Sequence, residues 1–112
     1  MIDPWLTNDP LWPKAEREPG KLREVDVVAV THAHFDHAPR IEEIASLNDK
    51  VIIVAQYEFT LSLINRGVRN VMPTSCGATI DLLGMRFSSA PAAHSSSTID
   101  ENGLVRIVGI RV

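Results

Sequence analysis

The stretch His32-Ala-His-Phe-Asp-His37 holds three of the chain's four histidines and an aspartate within six residues. Neutral imidazole nitrogen and carboxylate oxygen are ligands that Zn²⁺, Fe and Mn²⁺ all accept, so His32, His34, Asp36 and His37 are candidates for holding one divalent metal ion or two neighbouring ones. His32 and His34, two residues apart, share a direction if the backbone stays extended through Ala33. Asp36 and His37 follow after the chain turns. A single histidine in such a place is usually a surface or core residue, and a solvated polar turn is the bland reading of the whole group. Three histidines with an aspartate between them favour the metal.

These side chains need a rigid root, and Val25-Asp-Val-Val-Ala-Val30 directly precedes them. An apolar run of that length, rich in valine, reads as a buried strand. The candidate ligands therefore leave a strand's C-terminal end, where backbone departing from a sheet edge can aim several side chains at one point.

His32-Ala-His34-Phe-Asp36-His37 resembles the H-x-H-x-D-H motif of the metallo-β-lactamase superfamily of metal-dependent hydrolases. Two further stretches are similar to segments of its lactonase-like branch: Ile2-Asp-Pro-Trp-Leu-Thr-Asn-Asp-Pro10 and Ala93-His94-Ser-Ser-Ser97. The likeness runs from residue 2 to about residue 97, and the six-residue motif is its most specific part. It implies an α/β fold, part of an αββα sandwich with a mixed sheet and flanking helices. It also implies that His94 joins His32 and His34 as the third histidine of a first metal position, that Asp36 and His37 begin a second, and that Asp3 lies nearby to orient a ligand. Where relatives have glycine after the last histidine of the motif, this chain has Ala38-Pro39, which tightens the turn and removes no ligand.

A sandwich of that kind usually needs about twice 112 residues, judged against ordinary domain sizes. Residues 1–112 are thus expected to form a single partial domain, without the first strands and most of the second half. No counterpart of the family's bridging aspartate or its last histidine follows His94; Asp81 and Asp100 lack that context. A partner chain or a non-protein anion could supply the missing ligand.

Net charge is −3, and the 22% of charged residues are mixed in sign, with no basic stripe to suggest nucleic acid. No apolar run approaches the roughly 18 residues of a membrane helix, and Met1-Ile-Asp-Pro lacks a signal-peptide core. A cytoplasmic location is the default. The lone Cys76 excludes an internal disulfide and is expected to be a small buried hydrophobe beside Gly77.

Along the rest of the chain, residues 3–20 carry four of the seven prolines and both tryptophans. They are expected to be irregular, with Trp5, Leu6, Leu11 and Trp12 packed on a sheet. Ile41, Ile44, Ala45 and Leu47 have helical spacing, with Pro39 in the first turn and an end near Asn48-Asp49. Val51-Ile-Ile-Val-Ala55 reads as a second strand, parallel to the first. Glu58–Asn65 reads as a helix with Phe59, Leu63 and Ile64 inward, stopped by Gly67. Val68–Met72 follows as a third strand. Thr79–Leu83 and Met85–Ser89 form a hairpin around Gly84. His94 sits in a small-residue loop, Pro91–Thr98, whose Ser95, Ser96 and Ser97 are candidates to line a substrate pocket. Leu104–Val112 is a last strand with Arg106 and Arg111 outward, after a turn at Asp100–Gly103.

A three-histidine site with an open position brings the pKa of bound water to about 7, which yields metal-bound hydroxide at neutral pH. Asp36 would orient that nucleophile. The expected function is hydrolysis of an ester, lactone or phosphoester in a small-molecule substrate, with one or two ions, zinc first and manganese or iron as alternatives. The competing reading is a catalytically inactive half-domain that serves as a metal-binding or subunit-interaction module. An amidohydrolase barrel, which also carries H-x-H after a strand, fails on length, since it needs about 250 residues. Half of a two-sheet sandwich would expose an apolar sheet face, so a homodimer through that face is a further expectation.

Overall fold

The computed structural model describes residues 1–4, 11, 13, 15, 18–34, 37, 38, 40–100 and 102–111, with side chains from 106 onward left outside the description. Trp5, Leu6, Trp12, Phe35, Asp36, Pro39 and the side chains of Arg106 and Arg111 lie outside the described residues.

A three-stranded parallel sheet anchors the chain: β1 (Val27–Ala29), β2 (Ile52–Gln56) and β3 (Val71–Thr74), in that order. Parallel strands joined through helices are buried on both faces, which suits the near-continuous valine and isoleucine of β1 and β2. Val28, Val30, Ile53 and Ala55 belong to the main core cluster. Ile41 and Ile44 of α2 (Ile41–Leu47), Phe59 and Leu63 of α3 (Tyr57–Asn65), and Leu22 of the one-turn α1 (Pro19–Leu22) also belong to it. Ile2 adds an isolated parallel bridge to Ala29 on the outer side of β1.

Two antiparallel hairpins follow. β4 (Thr79–Leu82) pairs with β5 (Met85–Ser88), and β6 (His94–Ile99) pairs with β7 (Val105–Arg111). The carboxylate of Asp100 accepts the N–H groups of Asn102 and Leu104, both at 2.9 Å, and so fixes the second turn. The mixed α/β architecture expected from sequence is present, with parallel and antiparallel pairing and flanking helices.

Several local expectations are corrected. α1 starts at Pro19, inside a region expected to be irregular, because proline at the first helical position loses no needed donor and Leu22 becomes fully buried. Leu11 is 89% exposed and does not pack on a sheet. β1 is shorter than Val25–Val30 because the side-chain amide of Asn48 takes the carbonyls of Arg23 and Val25, although Val30 N–H still reaches Val54 O at 2.8 Å. β3 starts later than Val68 for a related reason. At the end of α3, Gly67 N–H bonds to Ile64 O and Val68 N–H to Leu63 O, a Schellman arrangement that holds Val68 in the helix cap.

Ile64 is 50% exposed, and Thr60 takes the inward place beside Phe59 and Leu63, since Ile64 lies a further quarter-turn round from that pair. His94 belongs to a strand rather than a loop: the Ser/Thr-rich run has weak strand character by itself and acquires it by pairing with β7. Cys76 is exposed, in the tight turn that Ala78 N–H closes on Ser75 O at 2.9 Å.

The β4–β5 connection has positive φ at both central residues, 49° at Leu83 and 76° at Gly84, as a type I′ turn requires. Leucine is poorly suited to that region, and Leu83 is exposed, so Leu83→Asn should raise stability by about 0.5–1 kcal/mol in urea unfolding. Gly67 has φ 91° with open space where a Cβ would stand. Gly67→Ala should therefore lower stability by about 1–2 kcal/mol through backbone strain alone, read the same way.

Candidate metal centre

His32 emerges two residues beyond the last ladder bond of β1 and is 7% exposed. His34, two residues on, lies beside it, with ring centroids 4.6 Å apart and nearly perpendicular planes. The carbonyl of His34 accepts both His37 N–H and Ala38 N–H at 3.0 Å, which folds the chain back and sets the His37 ring 4.1 Å from that of His32.

The fourth imidazole arrives from β6. His94 lies 4.3 Å from His32 and 4.9 Å from His34 by ring centroid. Its position depends on an irregularity in the hairpin: pairing steps from Ser95↔Ile110 to Ser97↔Ile107, so two residues of β7 stand opposite Ser96. Bulges of this kind re-aim side chains. Ser96 is buried here, and its hydroxyl accepts the N–H of Ala33 at 3.0 Å, tying β6 to the residue between His32 and His34.

His32, His34 and His94 can each offer a nitrogen such that all three lie within 4.8 Å of one another. Their surroundings favour metal-ready tautomers. Asp3 accepts Thr31 N–H and the Thr31 hydroxyl, each at 2.7 Å. With its proton given to the carboxylate, Thr31 Oγ1 can only accept from His32 Nδ1, 2.9 Å away. The lone pair of His32 is thereby on Nε2, a buried atom with no hydrogen-bond partner among the described residues. A buried bare nitrogen facing two other imidazoles is what a divalent cation would satisfy. His94 Nδ1 lies 2.8 Å from Ser95 O, and a carbonyl can only accept, so His94 also keeps Nε2 bare. His34 Nε2 is 3.4 Å from Ser95 Oγ.

Burial and then the neighbouring rings of His37, His94 and His34 push the His32 imidazole down to about 4, against a smaller opposing pull from Asp3. It is neutral at pH 7, the form that binds metal. His37 is not part of the three-nitrogen group; its Nδ1 sits 3.1 Å from Asp3 Oδ2. Asp36 lies outside the described residues. Asp81 is engaged with Arg86 and Asp100 with its own turn, so neither stands in for a bridging carboxylate. The expected roles of Ser95, Ser96 and Ser97 divide: Ser95 borders His34, Ser96 is structural, and Ser97 lines a cavity. That cavity, of about 480 Å³, opens beside His34 between Ala33, Phe59, Arg66, Ser97 and Val105.

A family model described as a beta-lactamase superfamily domain matches residues 1–112. The chain belongs to the beta-lactamase superfamily. Among its superfamily relatives, a UPF0173 metal-dependent hydrolase of Methanopyrus kandleri is 33% identical over 105 residues, covering 94% of this chain and 44% of that protein. Namesakes from Roseiflexus castenholzii and Metallosphaera sedula are 30% and 31% identical, covering 97% and 94% of this chain and 45% and 46% of their own lengths. The chain thus spans less than half the length of the curated superfamily relatives it matches. Among the described residues no helix is long and apolar enough to cross a membrane.

Thr31 and Ser96 were not singled out as orienting residues by sequence. Thr31 simply precedes the motif, and Ser96 has the same residue type as both its neighbours. The pH dependence of folding follows from His32. Its folded value of about 4 lies below the ordinary 6.5, so between those values the unfolded chain binds the extra proton. Stability contributed by neutral His32 is intact above about pH 6.5 and lost as pH falls toward about 4. In chelator, the urea midpoint of the native chain should drop more between pH 7.5 and 4.5 than that of His32→Gln; equal drops would mean His32 is not held neutral.

Proposed function

We propose that this chain carries the first metal position of a metal-dependent hydrolase, with His32, His34 and His94 as the ligands. The observation that supports this best is the convergence of three imidazoles from two distant parts of the chain, the segment after β1 and strand β6, one of them with a bare buried Nε2. Zinc suits three neutral nitrogens with an open position, and manganese or iron would also be accepted. A bound divalent ion would supply Lewis acidity, polarising a carbonyl or phosphoryl oxygen and acidifying water. The chain's own residues do the rest. Asp3 and Thr31 hold His32, the Ser95 carbonyl holds His94, and Ser96 fixes the backbone between His32 and His34. The cavity beside His34 would receive part of a small substrate, with Ala33, Phe59 and Val105 against its apolar portion and Arg66 and Ser97 against its polar one.

Asp36 and His37 would begin a second metal position and Asp36 would orient the attacking water. Esters, lactones and phosphoesters are the substrate classes this chemistry serves. We place the protein in the cytoplasm, a setting in which the exposed Cys76 thiol stays reduced. Residues 1–112 would make up one partial superfamily domain, with the remaining elements of the sandwich corresponding to the relatives' additional length. A second reading, a half-domain that binds metal without turnover, draws on Asp81 and Asp100 both being engaged elsewhere.

Elemental mass spectrometry on the purified chain separates these. At least one zinc per chain is expected, with a loss of most of it in His34→Ala and His94→Ala, together with chelator-sensitive hydrolysis of lactone or phosphodiester substrates. Stoichiometric metal without hydrolysis would favour the binding module. A folded chain that takes up no metal would overturn both readings.

A further inference from the structure

Thr31 stands between a carboxylate and an imidazole and makes no other side-chain hydrogen bond among those described. The direction of this relay is fixed by chemistry rather than by distance. An ionised carboxylate can only accept, so the Thr31 proton points to Asp3 Oδ2 and the Thr31 lone pairs are left for His32 Nδ1–H. The Thr31 backbone N–H on Asp3 Oδ1 holds the carboxylate in place through its second oxygen. Asp3 itself has φ 44°, a left-handed conformation uncommon outside glycine, though aspartate tolerates it better than most residues. Its neighbours secure that conformation: Asp3 N–H bonds to Ala29 O and Met1 O accepts Ala29 N–H, both at 2.9 Å. The side of Asp3 that faces Thr31 also lies 3.1 Å from His37 Nδ1 through Oδ2.

We infer that Thr31 is a positioning residue: its hydroxyl transmits the acceptor character of Asp3 to His32, locks the proton on Nδ1, and so leaves Nε2 as the nitrogen offered to a divalent cation. The inference rests on the metal-binding reading above. It adds that the tautomer of His32 is set by a neutral hydroxyl relay rather than by direct contact with a carboxylate. One carboxylate group thereby governs His32 at one remove and touches His37 directly, so the two candidate metal positions share a single anchor.

The relay makes an asymmetric prediction about three variants. Thr31→Ser keeps the hydroxyl and should keep the Nδ1–H tautomer. Thr31→Val removes the relay with almost no change in shape at an exposed position, and nothing then holds the proton on Nδ1. Asp3→Asn should reverse the relay. The Thr31 N–H needs the amide oxygen, so the amide NH₂ faces Thr31 Oγ1; the hydroxyl must then donate to His32 Nδ1, which sends the ring proton to Nε2.

The test is the ¹⁵N chemical shifts of His32 in the metal-free 112-residue chain, followed by zinc affinity from competition with a chromophoric chelator. Expected are Nδ1–H in the native chain and Thr31→Ser, loss of it in Thr31→Val, and Nε2–H in Asp3→Asn. Zinc affinity should fall about 10–100-fold in Thr31→Val and at least as far in Asp3→Asn. Retention of Nδ1–H in Thr31→Val overturns the inference, as does an unchanged zinc affinity once the tautomer is lost. Should the tautomers shift as expected in a chain that takes up no zinc, the metal reading falls and the relay stands.

Discussion

One hydrogen bond, from Ala33 N–H to the buried Ser96 hydroxyl, joins the two parts of the chain that make the site. The rest of the hold comes from the hairpin lying against α3 and from the longer approach of Ser95 Oγ to His34 Nε2 at 3.4 Å. The parallel sheet can hold the first two histidines by itself, because their roots leave β1 directly. It has no hold on the third. The irregularity in the β6–β7 ladder turns Ser96 inward, and a buried backbone donor at Ala33 would otherwise go unsatisfied at a cost of about 1–3 kcal/mol. Loss of that contact would leave His94 tied to the first two histidines only by those weaker approaches.

The second constraint is electrostatic. Imidazoles packed at centroid distances of 4.1 to 4.9 Å cannot all be protonated without mutual repulsion, and burial first, with this repulsion added to it, holds His32 down at about 4. The arrangement is therefore costly unless the rings remain neutral. A divalent cation removes that difficulty, since it binds the neutral form and replaces three protons that would repel one another. Neutrality alone would not select which nitrogen faces inward; that needs Thr31 for His32 and the Ser95 carbonyl for His94. Orientation and charge state are set by different neighbours, and both are needed.

Much of this was legible in the sequence, for identifiable reasons. The strand-helix-strand order from Val27 to Gln56 announced itself through period and apolar runs, because both strands are buried on both faces. Gly67 was legible as a stop because the Schellman cap needs positive φ there. The hexapeptide and the Ala93–Ser97 segment pointed to their family, and of the four histidines they contain His32, His34 and His94 come within reach of one another while His37 stands outside that group. Less legible was whatever depends on pairing between distant residues. The Ser/Thr run at 94–99 has no strand signal until β7 lies beside it. Val68 looks like strand and is cap, since its N–H is spent on Leu63 O. Thr31 and Ser96 are common residue types whose importance lies wholly in which atoms they face.

Metal binding and hydrolysis have different structural requirements. The three-nitrogen group draws all its ligands and their orienting neighbours from described residues between Asp3 and Ser96. Nothing in that set depends on the additional length found in the superfamily relatives. A bridging carboxylate is another matter, for neither Asp81 nor Asp100 is free to act as one. The first ion would thus be held by local geometry, whereas for a second neither of these two described carboxylates is placed to bridge. Affinity for one ion and catalytic competence need not rise or fall together here, and the His32 tautomer bears directly on the former.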